Sequence, residues 1–278
     1  MKVSVIIRTY NEERWIGTCL QRVFSQDFDG DIEVIIVDSY STDKTIEIAK
    51  QYDTKIVYLP YSPGRSINYG IENSDGEYII ILSAHAIPVD KKWMHNLIKN
   101  LDDPNVAGVY GKQIPHPDCN PLEVRTMLRI FGPYREIHTE GCFFHNANSA
   151  IRRSLWKEIP FREEMEASED QAWAKEVQGR GYVIIYDPSA AVMHSHNESL
   201  KQTYKRHWLV GYTLASINEP IPTQWFILRV GCGVLLDWFF ILRNGYSPKW
   251  LLISPFQKFT RCLGLRIGSN KGSRQFKR

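Results

Sequence analysis

Several things are scarce in this chain of 278 residues, and each scarcity excludes something. Its five cysteines (Cys19, Cys119, Cys142, Cys232 and Cys262) are odd in number and widely scattered, with no Cys-x-x-Cys pair. That spacing supports neither a zinc site nor a disulfide framework, and it fits a reducing, cytoplasmic setting. Net charge is only +3, so the overall balance gives no reason to expect nucleic acid as a partner. Long apolar runs are missing as well. Val3–Ile7 is too short for a secretory leader and ends at Arg8, while the stretch from Trp225 to Leu242 is interrupted by Arg229 and Asp237. That stretch reads as a buried or interfacial helix rather than a span. There is no internal repeat and no low-complexity segment.

One local absence is sharper. After Asp237 the chain has no acidic residue, yet it carries Arg243, Lys249, Lys258, Arg261, Arg266, Lys271, Arg274, Lys277 and Arg278. Trp238, Phe239, Phe240, Trp250, Phe256 and Phe259 are interleaved with these cations. A basic, aromatic segment suits an anionic membrane surface or a polyanion; a solvated tail resting its aromatics on the body is the plainer alternative.

What is present is a regular alternation. Apolar, β-branched runs at Val3–Ile7, Ile32–Val37, Lys55–Leu59, Tyr78–Leu82 and Val106–Gly111 predict strands. Helical spacing between them predicts helices at Glu12–Phe24, Thr42–Tyr52 (capped by Ser41 or Thr42), Ser66–Asn73 and Lys91–Leu101. Short, fully apolar strands separated by helices imply an α/β fold, a doubly wound and mostly parallel sheet with helices on both faces. Ligands of such sheets sit at the carboxyl ends of the strands. The second half is less regular. A loop over Pro115–Pro121 precedes a helix from Leu122 to Ile130, then a polar and mobile stretch from Gly132 to Gly141. A strand is expected within Phe143–Ile151, a helix over Asp170–Gln178, a strand over Tyr182–Asp187 ended by Pro188, and a helix over Leu200–Ile217.

The strand ends carry the chemistry. Asp38 follows the second strand and could accept from the imide N–H of a uracil or thymine ring; a helix cap is the alternative, though Ser41 is better placed for one. Thr9, Asn11 and Glu12 follow the first strand, where a cap and a nucleotide contact are compatible. Gly64 permits a close approach, and Arg65 could clamp a phosphate. Ser168-Glu169-Asp170-Gln171 has capping-box spacing, with Ser168 as cap and Gln171 reaching back.

Taken in order, Val3–Glu12, Val37–Thr45, Gly64–Gly70, Asn146–Ser154, Ala167–Asp170 and Tyr186–Ser189 resemble the family 2 inverting glycosyltransferases over roughly residues 1 to 210. Leu82-Ser83-Ala84-His85 and His194-Ser195-His196 resemble a rhamnosyltransferase-like bacterial branch that builds surface polysaccharides. The resemblance implies a GT-A fold. It also implies a nucleotide-sugar donor, a UDP- or dTDP-sugar with dTDP-rhamnose leading, and a saccharide or lipid-linked acceptor at the inner face of the membrane. Thr9, Asn11, Glu12, Asp38, Arg65, Ser83 and His85 would line the donor site. Asp170, beside Glu169, would be the general base, and Asn146, Asn148 and Arg206 would contact acceptor or donor. Residues 1–215 would form the glycosyltransferase domain, with a nucleotide-binding half (1–112) and an acceptor half (113–215). Residues 216–278 would form a helical, basic C-terminal appendage able to associate with membrane.

The family's fourth strand ordinarily ends in Asp-x-Asp, whose second carboxylate holds a divalent metal; here Ser83-Ala84-His85 stands in its place. Three readings of His85 remain open: a ligand of Mn²⁺ or Mg²⁺ together with His194, a direct contact to the diphosphate, or an ordinary loop histidine. Gln202 and Arg206-His207-Trp208 resemble the Gln-x-x-Arg-Trp motif of processive members, but with the wrong spacing, so processivity is not implied. The rival functional readings are a sugar-nucleotidyltransferase and a catalytically inactive nucleotide- or glycan-binding protein.

Overall fold

The computed structural model describes residues 1–221 and 226–276; Trp225, Lys277 and Arg278, named above, lie outside the described residues. The described chain divides into two compact units. The first holds residues 1–114, 131–165 and 169–194, and the second holds 115–130, 166–168 and 195–276.

The first unit is built on one sheet. Its strands are β1 (Lys2–Thr9), β2 (Asp31–Asp38), β3 (Lys55–Tyr58), β4 (Tyr78–Ser83), β5 (Ile87–Pro88), β6 (Val106–Ile114), β7 (Glu136–His138), β8 (Asn148–Arg152) and β9 (Val183–Met193). The spatial order is β3-β2-β1-β4-β8-β6-β9-β5, with β7 paired to β9. The β3-β2-β1-β4 block is parallel, as the apolar runs predict. Next to it β8 runs antiparallel to both β4 and β6, and β6 is parallel to β9.

Ten α-helices and one 3-10 helix (Lys99–Asp102) complete the described residues: α1 (Ile16–Phe24), α2 (Thr45–Ala49), α3 (Pro63–Glu72), α4 (Trp93–Ile98), α5 (Pro121–Ile130), α6 (Arg153–Glu158), α7 (Glu169–Gly179), α8 (Leu200–Ser216), α9 (Phe226–Arg243) and α10 (Lys249–Phe276). The period-2 alternation of β1 assigns the two faces of the sheet. Val3, Val5 and Ile7 join the core made by Ile16, Cys19, Leu20 and Val23 of α1 and by Trp93, Met94 and Leu97 of α4. Ile6 points the other way, to α3, where a Cβ on Gly70 would overlap the Ile6 and Val37 side chains. Helices therefore cover both faces, and burying these aliphatic side chains contributes roughly 1.5–3 kcal/mol each.

Several elements differ from their sequence expectation, for identifiable reasons. α1 begins at Ile16 rather than Glu12, because Asn11 takes a left-handed φ of 53° and the Glu12 carbonyl accepts from the N–H groups of Trp15 and Ile16 in a turn. α2 is cut to Thr45–Ala49 and Ser41 does not cap it, its hydroxyl being given to Asp38. α3 starts at Pro63, a residue suited to a first helical turn. Within the stretch expected to be mobile, Glu136–His138 forms β7 and is hydrogen-bonded along β9. Pro188 does not end its strand. β9 runs on to Met193, and the ladder with β6 shifts register between the Gly111–Asp187 and Gln113–Val192 pairs, an irregularity that accommodates a residue without an N–H.

The second unit is helical. Ser199 and Gln202 form a capping box at the start of α8. α8 lies so close to α10 that a Cβ on Gly268 would overlap the Trp208 carbonyl oxygen. That close packing places α8 in this unit. Asp237 of α9 is 1% exposed and is met by Arg125, by Lys258 at 3.3 Å and by the Ser254 hydroxyl at 2.8 Å. No helix among the described residues is long and apolar enough to cross a membrane.

Candidate functional site

The register of the parallel block draws the strand-end residues into a row. Thr9 lies opposite Asp38, and Arg8 opposite Ser83. The side chains that follow are held by polar cross-links between the loops. The buried Asp38 carboxylate accepts from the Ser41 N–H (2.8 Å) and hydroxyl (2.5 Å), an Asx-type turn that fixes its direction. Asn11 accepts from the Thr42 N–H at 2.8 Å and donates its own N–H to Ser41 Oγ at 2.9 Å. The Glu12 N–H donates to Thr45 Oγ1 at 2.7 Å. Asn11 thus ties two loops together instead of opening a helix. Thr9 is buried, and its hydroxyl has no hydrogen-bond partner.

His85 sits two residues beyond β4. Its Nδ1 is 2.7 Å from Glu12 Oε1, and its ring stacks on His194 at a centroid separation of 4.7 Å. His194 is anchored in turn, with Nδ1 2.8 Å from Gln113 Oε1. Both acceptors are oxygens, so each imidazole donates from Nδ1 and its Nε2 is the ring nitrogen turned away from that bond. A carboxylate or carbonyl behind a histidine is the arrangement that orients an imidazole toward a metal. The candidate ligand nitrogens of this pair lie within 4.8 Å of each other. The residues therefore fit a divalent ion, and a nitrogen donor set suits Mn²⁺ better than Mg²⁺. His196, two residues on, belongs to the second unit.

A second cluster forms at the start of α7. Glu169 is buried and accepts from Arg8 Nη1 at 3.2 Å and from the Asn146 side-chain amide at 3.5 Å. Asp170 receives the Gln171 N–H on Oδ1 (2.8 Å) and the Asn146 N–H on Oδ2 (3.3 Å). Burial, reinforced by the neighbouring Glu169 carboxylate, pushes the Asp170 carboxyl up to about 7, against the opposing pull of these two N–H groups and Arg8. A carboxyl poised there accepts a proton near neutrality. The capping box expected at this helix is not made, since Gln171 Oε1 has no partner.

The remaining candidates separate. Asn146 belongs to the Asp170 cluster, whereas Asn148 is structural. It is fully buried, accepts from the Trp93 indole at 2.9 Å and donates to the Ala190 carbonyl at 2.8 Å, so its amide is spent on the sheet rather than on acceptor or donor. Arg65 is exposed on the first turn of α3. The absent side chain at Gly64 makes room for the Arg162 carbonyl rather than for a ligand. Arg206 lies in the second unit, paired with Glu198 at 2.9 Å.

Three features escaped the sequence reading. Arg8, which the alternation marks only as the end of an apolar run, is the cation of the Glu169 cluster. Tyr10, Tyr40, Tyr58 and Tyr61 are all exposed near the ends of β1, β2 and β3, and Tyr40 stacks on Tyr58 at 6.0 Å. Such rings offer a face to a nucleobase. Finally, His138 and His145 are held below the usual histidine range by burial, His145 at about 4, and His138 bonds the Tyr110 hydroxyl at 2.9 Å. Aromatic residues bracketing the strand ends were the available signal.

The chain and its fold have counterparts among known proteins. Residues 4–159 match the model of the family described as glycosyl transferase family 2. The chain is 28% identical to the O-antigen chain rhamnosyltransferase RfbN of Salmonella typhimurium, over 97% of this chain and 90% of that one. It is also 28% identical to the O-antigen chain rhamnosyltransferase WbaN of Salmonella anatum, over 96% and 89%. Among solved structures, the mannosyltransferase PcManGT from Pyrobaculum calidifontis, in complex with GDP-Man and Mn²⁺, superposes with a TM-score of 0.67 at 19% identity, over 97% of this chain and 86% of that one. S. aureus TarS 1–349 in complex with UDP gives 0.56 at 19% identity, over 99% and 92%. The sheet is therefore of the GT-A type, and the chain belongs to glycosyl transferase family 2.

Proposed function

We propose that this glycosyltransferase moves a deoxyhexose, rhamnose from dTDP-rhamnose in the first instance, onto a saccharide acceptor in bacterial surface-polysaccharide assembly, with inversion at the anomeric carbon and Asp170 as general base. The observation that carries the mechanism is the Arg8–Glu169–Asn146–Asp170 cluster, built around the buried Glu169 and Asn146, in which the Asp170 carboxyl is pushed toward neutrality. Glu169 is paired with Arg8 at 3.2 Å, and its neighbour Asp170 is the carboxyl raised to where it can exchange a proton near neutrality. Two backbone N–H groups fix both Asp170 oxygens, which keeps the carboxylate oriented as it takes the proton of the acceptor hydroxyl. The acceptor oxygen then bonds to C1 of the donor sugar. The C1–O bond to the diphosphate breaks with its electron pair leaving on the β-phosphate oxygen. The names of the two full-length relatives support the choice of rhamnose and of a polysaccharide product.

The base of the donor has its own supports. The Asp38 carboxylate, held by Ser41, keeps lone pairs for an imide N–H, which favours uracil or thymine. Asn11 and Glu12 brace the loops that carry it. His85 and His194 would hold a divalent ion, Mn²⁺ before Mg²⁺, and that ion, when bound, neutralises charge on the leaving diphosphate. PcManGT was solved with Mn²⁺.

The decisive experiment measures nucleotide release from dTDP-rhamnose, UDP-glucose and UDP-N-acetylglucosamine by the wild type and by Asp170→Asn, with Mn²⁺ and with EDTA. Release from dTDP-rhamnose that needs Asp170 supports the proposal. Equal, background-level release by both proteins would leave a nucleotide-binding protein without catalysis. Undiminished turnover in EDTA would move His85 from metal ligand to direct phosphate contact.

A further inference from the structure

α9 is amphipathic in the reverse sense. At 3.6 residues per turn, Ile227, Leu228, Leu235, Leu236, Phe239 and Leu242 share one half of the helix surface. All six are exposed, between 54% for Leu236 and 84% for Ile227. The opposite side carries Asp237, buried and matched by Arg125 and Lys258. Leu252, Phe256 and Phe259 of α10 are exposed as well, at 76%, 66% and 47%. The Trp238 indole N–H donates to the Leu251 carbonyl at 2.9 Å and joins the two helices as a hairpin. Exposed apolar side chains in such density mark a surface that is covered in use.

The charges identify the cover. Among the described residues, cations pair with aromatic rings along the hairpin: the Arg243 guanidinium lies 6.0 Å from the Phe239 ring of this face, Lys249 Nζ lies 5.4 Å from Trp250 of α10, and the exposed Arg266 of α10 lies 5.2 Å from Phe226, on the Asp237 side of α9. No carboxylate follows Asp237 in the sequence, so nothing beyond it offsets these cations. A second copy of the chain would bring like charges against like, at a cost. An anionic headgroup layer would meet them with opposite charge while its acyl boundary took up the Leu and Phe side chains. Spanning is excluded for α9, whose 18 residues include Arg229, Asp237 and Arg243.

We propose that the α9–α10 hairpin docks in the plane of an anionic lipid bilayer, its apolar face at the acyl boundary and its cations among the headgroups. The proposal is independent of the donor and of Asp170. The test floats the full chain with phosphatidylcholine vesicles, with and without about a third phosphatidylglycerol. It compares the wild type, the triple variant Leu235→Ser/Phe239→Ser/Leu242→Ser, and Arg243→Gln/Lys249→Gln/Arg266→Gln. All the replaced side chains are at the surface, and unchanged thermal melting verifies the fold. The expected result is binding to the anionic vesicles that weakens with salt, falls at least about tenfold in the apolar variant, and loses most of its salt dependence in the charge variant. No flotation of the wild type at low salt would overturn the proposal. So would binding that the apolar variant retains in full, or a vesicle-independent dimer that the apolar variant converts to monomer, which would make a second copy the occupant.

Discussion

The sheet unit and the helical unit handle charge in opposite ways. In the first, strands are apolar on both faces and polar groups gather just beyond their carboxyl ends, where Asp38, His85 and Asp170 are each held by defined partners. In the second, α9 turns a carboxylate inward against Arg125 and Lys258 and leaves leucines and phenylalanines outside. In the first unit a half-buried carboxyl beside a second carboxylate is raised toward neutrality. In the second a buried carboxylate is paired with two cations and serves the packing of α9. Burial alone does not make a functional group; the balance of partners around it does.

Four substitutions bear on that contrast. Asp170→Asn is expected to lower turnover about 10²–10⁴-fold, the range for loss of a general base, read as initial rates of nucleotide release. Its stability should move the other way. A carboxyl whose pKa is raised by folding costs stability above about pH 7, and the cost fades as pH falls toward the unfolded value. Asp170→Asn should therefore melt higher than wild type at pH 8 and the same at pH 4, by calorimetry at both values. Asp237→Ala leaves the half-buried Arg125 and Lys258 without their buried anion, and a loss of about 3 kcal/mol is expected in denaturant unfolding. Asn148→Ala orphans the Trp93 indole and the Ala190 carbonyl, for about 1–3 kcal/mol, with nucleotide release per folded molecule unchanged. An equal fall in turnover would return Asn148 to the site. Glu169→Gln removes a neighbouring negative charge, so the acidic limb of the rate profile should move to lower pH, by about one unit or less.

The parallel half of the sheet was legible because β-branched runs and their turn residues agree with the fold at every level. The donor-site row followed, since strand ends in such sheets are where ligands bind. Antiparallel β8 was only half legible: Asn148–Arg152 mixes polar and apolar residues, and its pairing is set by tertiary contacts. Ser168–Gln171 and Ser199–Gln202 both carry cap spacing, and local sequence does not tell which one closes; it is the second. The roles of Asn146 and Asn148 were likewise inseparable in the sequence, because Asn146 lies in the turn before β8 and meets the Asp170 cluster, while Asn148 opens the strand and meets Trp93. In α9 the sequence displays an apolar helix with a misplaced Asp237, and only the positions of Arg125 and Lys258, over a hundred and about twenty residues away, reveal which side faces inward.

The most direct test of Asp170 as the base is the pH dependence of nucleotide release from dTDP-rhamnose, measured from about pH 5 to 9 on wild type and Asp170→Asn together. The expected wild-type rate falls tenfold per unit below about pH 7 and levels above it, while the variant is slow and lacks that limb. A wild-type profile flat across the range, with Asp170→Asn turning over at the wild-type rate, would contradict it.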